Sequence, residues 1–268
     1  MSEDRRTFLK EIGFAALGLG CGFPLVRAAS SAAVQHGTDQ GATSTSQWAM
    51  VIDLEKCLNE EVRAACIEAC HREHNVPQIP DPDDQIEWIW EDEYKHVFPD
   101  QVHEHSPTAL QEMPVLVFCN HCTNPPCVRV CPTAATWKRA EDGIVMMDMH
   151  RCIGCRYCMA ACPYGSRRFN WRDPRDYIRT DENGQPVSDY PTRTKGVVEK
   201  CDFCVERLRD GRQPACVEAA NAVPGGEGAL TFGNLGDSNS EVNRILREKR
   251  TINRRANLGT GPNVFYIV

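Results

Sequence analysis

Fifteen cysteines fall in clumps along a sequence of 268 residues. The most ordered clump is Cys152-x2-Cys155-x2-Cys158-x3-Cys162-Pro163. Thiolates suit iron–sulfur clusters and zinc alike, so the spacing has to separate the two chemistries. Two-residue gaps in a tight loop let three sulfurs converge on three iron corners of a cubane. The fourth cysteine leaves the loop and reaches a neighbouring cluster. Gly154 suits the tight turn, a helix is expected to start near Cys162, and Pro163 removes a backbone donor beside the cage.

A second run precedes it, Cys119-x2-Cys122-x4-Cys127-x3-Cys131-Pro132, with Asn124-Pro125-Pro126 enlarging the loop. The crossover rule assigns Cys119, Cys122, Cys127 and Cys162 to one [4Fe–4S] cluster. It assigns Cys131, Cys152, Cys155 and Cys158 to the next. A third group is Cys201-x2-Cys204-x11-Cys216, with Ala220 where a fourth cysteine would fall. Its counterpart, Cys57-x8-Cys66-x3-Cys70, lacks one cysteine of the usual four. Crossover gives Cys70, Cys201, Cys204 and Cys216 a full ligand set. Both vacancies then belong to one cage, which argues for three clusters and one lost site.

Cys57 and Cys66 are left over. In an oxidising compartment they are candidates for a disulfide. Free buried thiols, or a fourth cluster completed by a non-cysteine ligand such as His71, are the alternatives. Zinc takes four thiolates, often as two C-x2-C pairs, and does not ask for three closely spaced cysteines plus a fourth followed by proline, in tandem. A framework of disulfides fits less well still, because neighbours within one tight loop would mostly need partners elsewhere, with specific Cβ geometry.

The elements that must position these loops are short. Trp48–Leu54, Met113–Phe118, Gly143–Met147 and Val197–Glu199 read as strands, each leading into cysteines. Asn59–His74 reads as a helix with acids in its first turn and histidine near its end. Residues 77–114 form an insertion without cysteine, with a short helix expected around Ile86–Tyr94. A polar helix is expected from Ser240 to about Arg250, and a terminal strand over Val264–Val268. The fold class is α+β. Duplicated modules of the bacterial-ferredoxin kind combine short strands, cluster-binding loops and small helices, with the insertion and a C-terminal extension added. The 119–162 runs form a module nested inside another made of 48–76 and 197–225.

Upstream, Asp4-Arg5-Arg6-Thr7-Phe8-Leu9-Lys10 precedes a Gly/Ala-rich apolar stretch, Ile12 to Val26. It resembles a twin-arginine export signal over residues 1–28, with Asp in place of the usual Ser or Thr. Val26-Arg27-Ala28 supplies a cleavage site. Cys21 lies in the signal and lacks the aliphatic residue of a lipoprotein box. Residues 29–47 read as a flexible linker before the iron–sulfur domain at 48–268. Export of an already folded, cofactor-loaded chain matches the cysteine pattern and implies a periplasmic location. Membrane association would come from partner subunits or an uncut signal.

A formal net charge of −7 gives no reason to expect nucleic acid. Arg167, Arg168, Arg172, Arg175 and Arg179, interleaved with Phe169, Trp171 and Tyr177, read as a solvated or partner-facing surface. The acidic, Trp-rich stretch 81–94 reads either as a docking surface or as a half-buried cap on the module. His121, between two ligands, reads as a packing residue. The sequence has no dinucleotide fingerprint, P-loop or nucleophile elbow. A non-catalytic electron carrier with no small-molecule substrate is expected.

From Met50 to Val268 the chain resembles the ferredoxin-like subunits that accompany quinol-handling membrane proteins and molybdopterin reductases. Ala69-Cys70-His71-Arg72-Glu73-His74-Asn75-Val76-Pro77, Trp88-Ile89-Trp90-Glu91, Cys119-Asn120-His121-Cys122 and Pro125-Pro126-Cys127 carry the resemblance. Tyr164-Gly165, Phe169-Asn170-Trp171-Arg172 and Pro262-Asn263-Val264-Phe265-Tyr266 also fit. Within that group these stretches most resemble the exported iron–sulfur subunit of the membrane complex linked to dissimilatory sulfite reductase. The resemblance implies an electron relay between a polytopic quinone subunit and other redox subunits, including a multihaem cytochrome c, in sulfur-compound metabolism. The alternative is the corresponding subunit of a molybdopterin oxidoreductase for polysulfide, tetrathionate or nitrite-type substrates.

Overall fold

The computed structural model describes residues 46–268; the expected signal and nearly all of the linker lie outside the described residues. Ten short strands follow in chain order: β1 (Trp48–Asp53), β2 (Ile89–Glu93), β3 (Pro114–Phe118), β4 (Thr136–Lys138) and β5 (Val145–Met147). Then come β6 (Arg168–Phe169), β7 (Val198–Glu199), β8 (Leu230–Asn234), β9 (Thr251–Ile252) and β10 (Val264–Ile267).

β1 is apolar at nearly every position because both of its faces are covered. Met50 and Ile52 enter the main core, while Ala49 and Val51 meet Val242 and Ile245 of the Glu241–Glu248 helix. The sheet order is β8-β1-β10-β9, with β1 antiparallel to β8 and parallel to β10. The C-terminal extension therefore folds back, and its last strand sits beside the first. The other strands form three antiparallel pairs, β2-β3, β4-β5 and β6-β7.

Two helices start where the sequence supplies side-chain caps. The Asn59 side chain accepts the Glu61 N–H at the head of the Glu60–Glu73 helix, with Glu60 and Glu61 at its positive end. Ser240 accepts the Asn243 N–H ahead of Glu241–Glu248. The Glu60–Glu73 helix packs on the Ala215–Ala222 helix, which brings the outer halves of the sequence together around Cys66, Cys70 and Cys216. Cys127 and Cys158 belong to a separate apolar cluster with Val145 and Val198.

One expected element of the insertion is different. The stretch Ile86–Tyr94 is not a helix: Ile89–Glu93 is strand β2, followed by one helical turn over Tyr94–Val97. Its register with β3 runs from Ile89 opposite Phe118 to Glu93 opposite Pro114. Pairing with a strand distant in sequence overrides the local preference. Trp88 is fully buried, stacks on His74 and donates its indole N–H to Glu199 at 2.7 Å. No helix among the described residues is long and apolar enough to cross a membrane.

Candidate iron–sulfur sites

Three cysteine loops share one backbone feature. The residue immediately before the second cysteine is left-handed in each: His121 at φ 40°, Gly154 at φ 69° and Phe203 at φ 59°. That conformation costs a residue with a Cβ about 1–2 kcal/mol, so His121 and Phe203 hold it only because their surroundings enforce it. They enforce each other, with rings stacked at 3.7 Å between centroids. The His121 Nδ1 also accepts the Val145 N–H at 3.1 Å, and burial holds its basicity well below the usual range, so the ring is neutral. It is a packing residue of the cage wall. At Gly154 the turn needs glycine for a second reason: a Cβ would lie 2.4 Å from the Gly196 carbonyl oxygen.

Cys119, Cys122, Cys127 and Cys162 line a single small cavity together with Val145 and Arg167. Burial pushes the Cys122 thiol up to about 12, with the charges of Cys119, Cys127 and Cys162 acting in the same direction. Cys158 is raised by burial too, and it feels Cys127, Cys152 and Cys131. Cys152 and Cys155 are half-buried on the same loop. Cys70 feels Cys201 and Cys216 after the larger effect of burial, and Cys204 feels Cys216, Cys70 and Cys201. These proximities are compatible with the crossover sets, and they also run between sets, since Cys158 feels Cys127 and Cys201 feels Cys119. The helix in the second run lies elsewhere than expected. It spans Tyr157–Ala161 and ends at Cys162, carrying Cys158 on its first turn.

The sulfurs of these sets are met by donors. Backbone N–H groups of Thr136, Thr133 and Ala135 reach Cys131, and hold its thiol below the ordinary value against burial. Those of Ser166 and Tyr164 reach Cys162. Ala215 N donates to Cys204 Sγ at 3.4 Å, and Arg167 Nη2 to Cys127 Sγ at 3.0 Å. Donors directed at sulfur are what an anionic thiolate cage needs, so these residues fit an iron–sulfur cluster.

Cys57 and Cys66 differ. Both are fully buried and, like the other described cysteines, not joined in a disulfide, so the difference lies in what each sulfur meets. Each sulfur faces a carbonyl oxygen instead, Ala229 O at 3.9 Å from Cys57 and Cys216 O at 3.3 Å from Cys66, so each thiol donates in a separate direction. Burial and the Asp53 charge push Cys57 up to about 12. Arg63, also buried, donates to the carbonyls of Cys57 and Leu58 and pairs with Glu91 at 2.9 Å. His71 meets the Ile89 backbone, and its Nε2 is buried without a hydrogen-bond partner among the described residues.

Two members of the arginine run are neutralised by the acidic insertion, while Arg175 pairs with Asp173 and Arg179 with Glu68. Arg168 pairs with Glu87 at 2.8 Å, and Arg172 with Asp81 at 2.9 Å and with Asp84. Trp88 and Trp90 are buried, so the insertion caps the module. Sequence reading missed this pairing because the partners lie far apart along the chain.

Comparison with known proteins matches residues 114–176 to the 4Fe-4S dicluster domain family. A chain from Archaeoglobus fulgidus described as Hdr-like menaquinol oxidoreductase iron-sulfur subunit 1 is 42% identical over 281 residues, covering 98% of this chain and 97% of that protein. The chain belongs to the ferredoxin-like iron–sulfur subunits of oxidoreductase complexes. Another member, the menaquinone reductase iron-sulfur cluster-binding subunit of Nitratidesulfovibrio vulgaris, is 36% identical over 82% of this chain and 88% of its own length. A tetrathionate reductase subunit from Salmonella typhimurium is 31% identical over 100% of this chain and 89% of its own. As a member of this family the chain binds [4Fe–4S] clusters and transfers electrons.

Proposed function

We propose that this chain is the electron-transfer subunit of a respiratory membrane complex that exchanges electrons with a menaquinone-type quinone. It holds three [4Fe–4S] clusters, on Cys119/Cys122/Cys127/Cys162, Cys131/Cys152/Cys155/Cys158 and Cys70/Cys201/Cys204/Cys216. The observation that carries the cluster count is the left-handed turn before the second cysteine, present in three loops and absent around Cys57. The quinone assignment is supported by the two relatives named for menaquinol and menaquinone chemistry, which match over most of this chain.

The chain's own part is passive. Its cysteines would fix the clusters, and apolar walls such as Val145 and the prolines at 125, 126 and 163 keep water from the sulfurs. Bound clusters supply one-electron carriers whose potentials depend on charge, hydrogen bonds to sulfur and exposure. In the fuller reading the chain is exported by the twin-arginine route. There it joins a polytopic quinone subunit and a multihaem cytochrome c in the complex linked to dissimilatory sulfite reductase. The likeness to the tetrathionate reductase subunit favours a second reading, a molybdopterin oxidoreductase of sulfur compounds.

Purification from native membranes in mild detergent, with sequencing of the partner subunits, tests this. A polytopic membrane subunit with a cytochrome c is the expected outcome. A large molybdopterin subunit would establish the second reading, and a chain without iron or partners would refute both.

A further inference from the structure

Several cations lie buried beside the cysteine sets, and they differ in what balances them. Arg207, near Cys216, is paired with Glu73 at 3.0 Å and with Glu218. Arg63, near Cys57, is paired with Glu91. Arg167 makes no ion pair with any carboxylate among the described residues, although only 3% of it is exposed. Its Nη2 donates to Cys127 Sγ at 3.0 Å and to Thr136 Oγ1 at 2.8 Å, and its Nη1 approaches Met147 Sδ at 3.5 Å.

An isolated guanidinium cannot escape burial by losing its proton, and leaving one uncompensated costs several kcal/mol. A counter-charge is therefore required, and the groups facing Arg167 identify it. After the opposing effect of burial, its charge is favoured by Cys127, Cys158 and Cys119. Cys119 and Cys127 belong to one set and Cys158 to the next. The arginine lies where both cages reach it.

A cubane held by four thiolates carries net negative charge, and gains one more negative charge on reduction. A fixed cation at its edge favours the reduced form more than the oxidised one. The low dielectric of a buried site enlarges that difference. We propose that Arg167 sets the reduction potentials of the two clusters it lies between, raising both, and that those clusters are its counter-charge. The proposal rests on the assignment of clusters to these cysteines.

The test uses the full chain carrying Arg167→Gln or Arg167→Lys, purified without oxygen. Iron per chain is measured first, and a redox titration with dithionite is then followed by the spin signals of the reduced clusters. In Arg167→Gln with full iron, two of three midpoints should move to more negative potential. The reduced-to-oxidised ratio at the wild-type midpoint should fall about tenfold, equivalent to about 59 mV for one electron. The third midpoint should stay in place, and Arg167→Lys should recover most of the shift. Arg244→Gln, an exposed arginine paired with Glu241 and Glu248, should move none.

Unmoved midpoints at full iron would overturn the proposal, as would equal shifts of all three. Loss of iron in both Arg167 variants would assign the residue to packing, and loss in the Gln variant alone would assign its charge to holding the clusters; either overturns the tuning role. Failure of the cluster assignment itself shows separately, as missing iron in the unmodified chain.

Discussion

The loops at 119–162 and the core around Cys57 and Cys66 contain the same reactive side chain in opposite surroundings. In the loops, sulfur accepts: from Ala135 and Thr136 at Cys131, from Arg167 at Cys127, from Ser166 at Cys162. Around Cys57 and Cys66, sulfur donates, to Ala229 O and Cys216 O. A thiolate needs donors and a thiol needs acceptors. The polarity of the hydrogen bonds thus separates cage from core more sharply than cysteine count does. The backbone beside Ala220 is also tightly packed. Gly226 lies so close to Ala220 and Val62 that a Cβ there would sit 2.2 Å from the Ala220 carbonyl oxygen and 3.0 Å from Val62 Cγ2.

The largest effect should come from removing a sulfur in the cages. Cys122→Ala and Cys162→Ala, although far apart in sequence, should each cost the same cluster, about four irons per chain. Cys131→Ala should cost the neighbouring one. Iron analysis with cluster spectra of the three variants checks the crossover, and loss of different clusters from Cys122→Ala and Cys162→Ala would break it. Gly154→Ala should come next, because its Cβ would strike the Gly196 carbonyl from a left-handed backbone. We expect depletion of the Cys131/Cys152/Cys155/Cys158 cluster first, read by iron content and a lower unfolding temperature.

On the other side of the comparison, Cys57→Ala and Cys66→Ala should leave iron content unchanged. Each should lower stability by on the order of 1 kcal/mol through a small cavity, measured by denaturant unfolding of the holoprotein. The smallest effect is alkaline. The Cys57 thiol is raised from 9.0 to about 12 by burial first and by Asp53 second. The folded state therefore keeps its proton after the unfolded state has released it. That contribution to stability is complete below about pH 9 and fades as pH rises towards 12. Cys57→Ala should flatten the alkaline flank of the stability curve between those limits.

Much of the frame was legible because local signals and tertiary structure agree. Asn59 and Ser240 mark helix starts, and strands β3, β5 and β7 run directly into cysteine loops as their apolar residues suggest. The Ile86–Tyr94 region misled because its strand depends on β3 for partners. β8 follows Gly225-Gly226-Glu227-Gly228, and its strand signal in Leu230-Thr231-Phe232 was not among the strands expected from the sequence. The turn at Phe203 left no trace in the sequence, since phenylalanine does not favour a left-handed backbone, and the modest enrichment of histidine in that conformation does not mark the turn at His121 by itself. Arg167 looked like one arginine in a surface run. Only its position against Cys127 separates it from Arg168 and Arg172, whose charges meet Glu87, Asp81 and Asp84.

The central claim is that three cages hold clusters and the Cys57/Cys66 core does not. Iron and acid-labile sulfide, measured per chain on protein purified without oxygen, test it most directly. About twelve irons, four for each of three cubanes, are expected. About sixteen would mean that Cys57 and Cys66 take part in a fourth cluster, and would contradict the account.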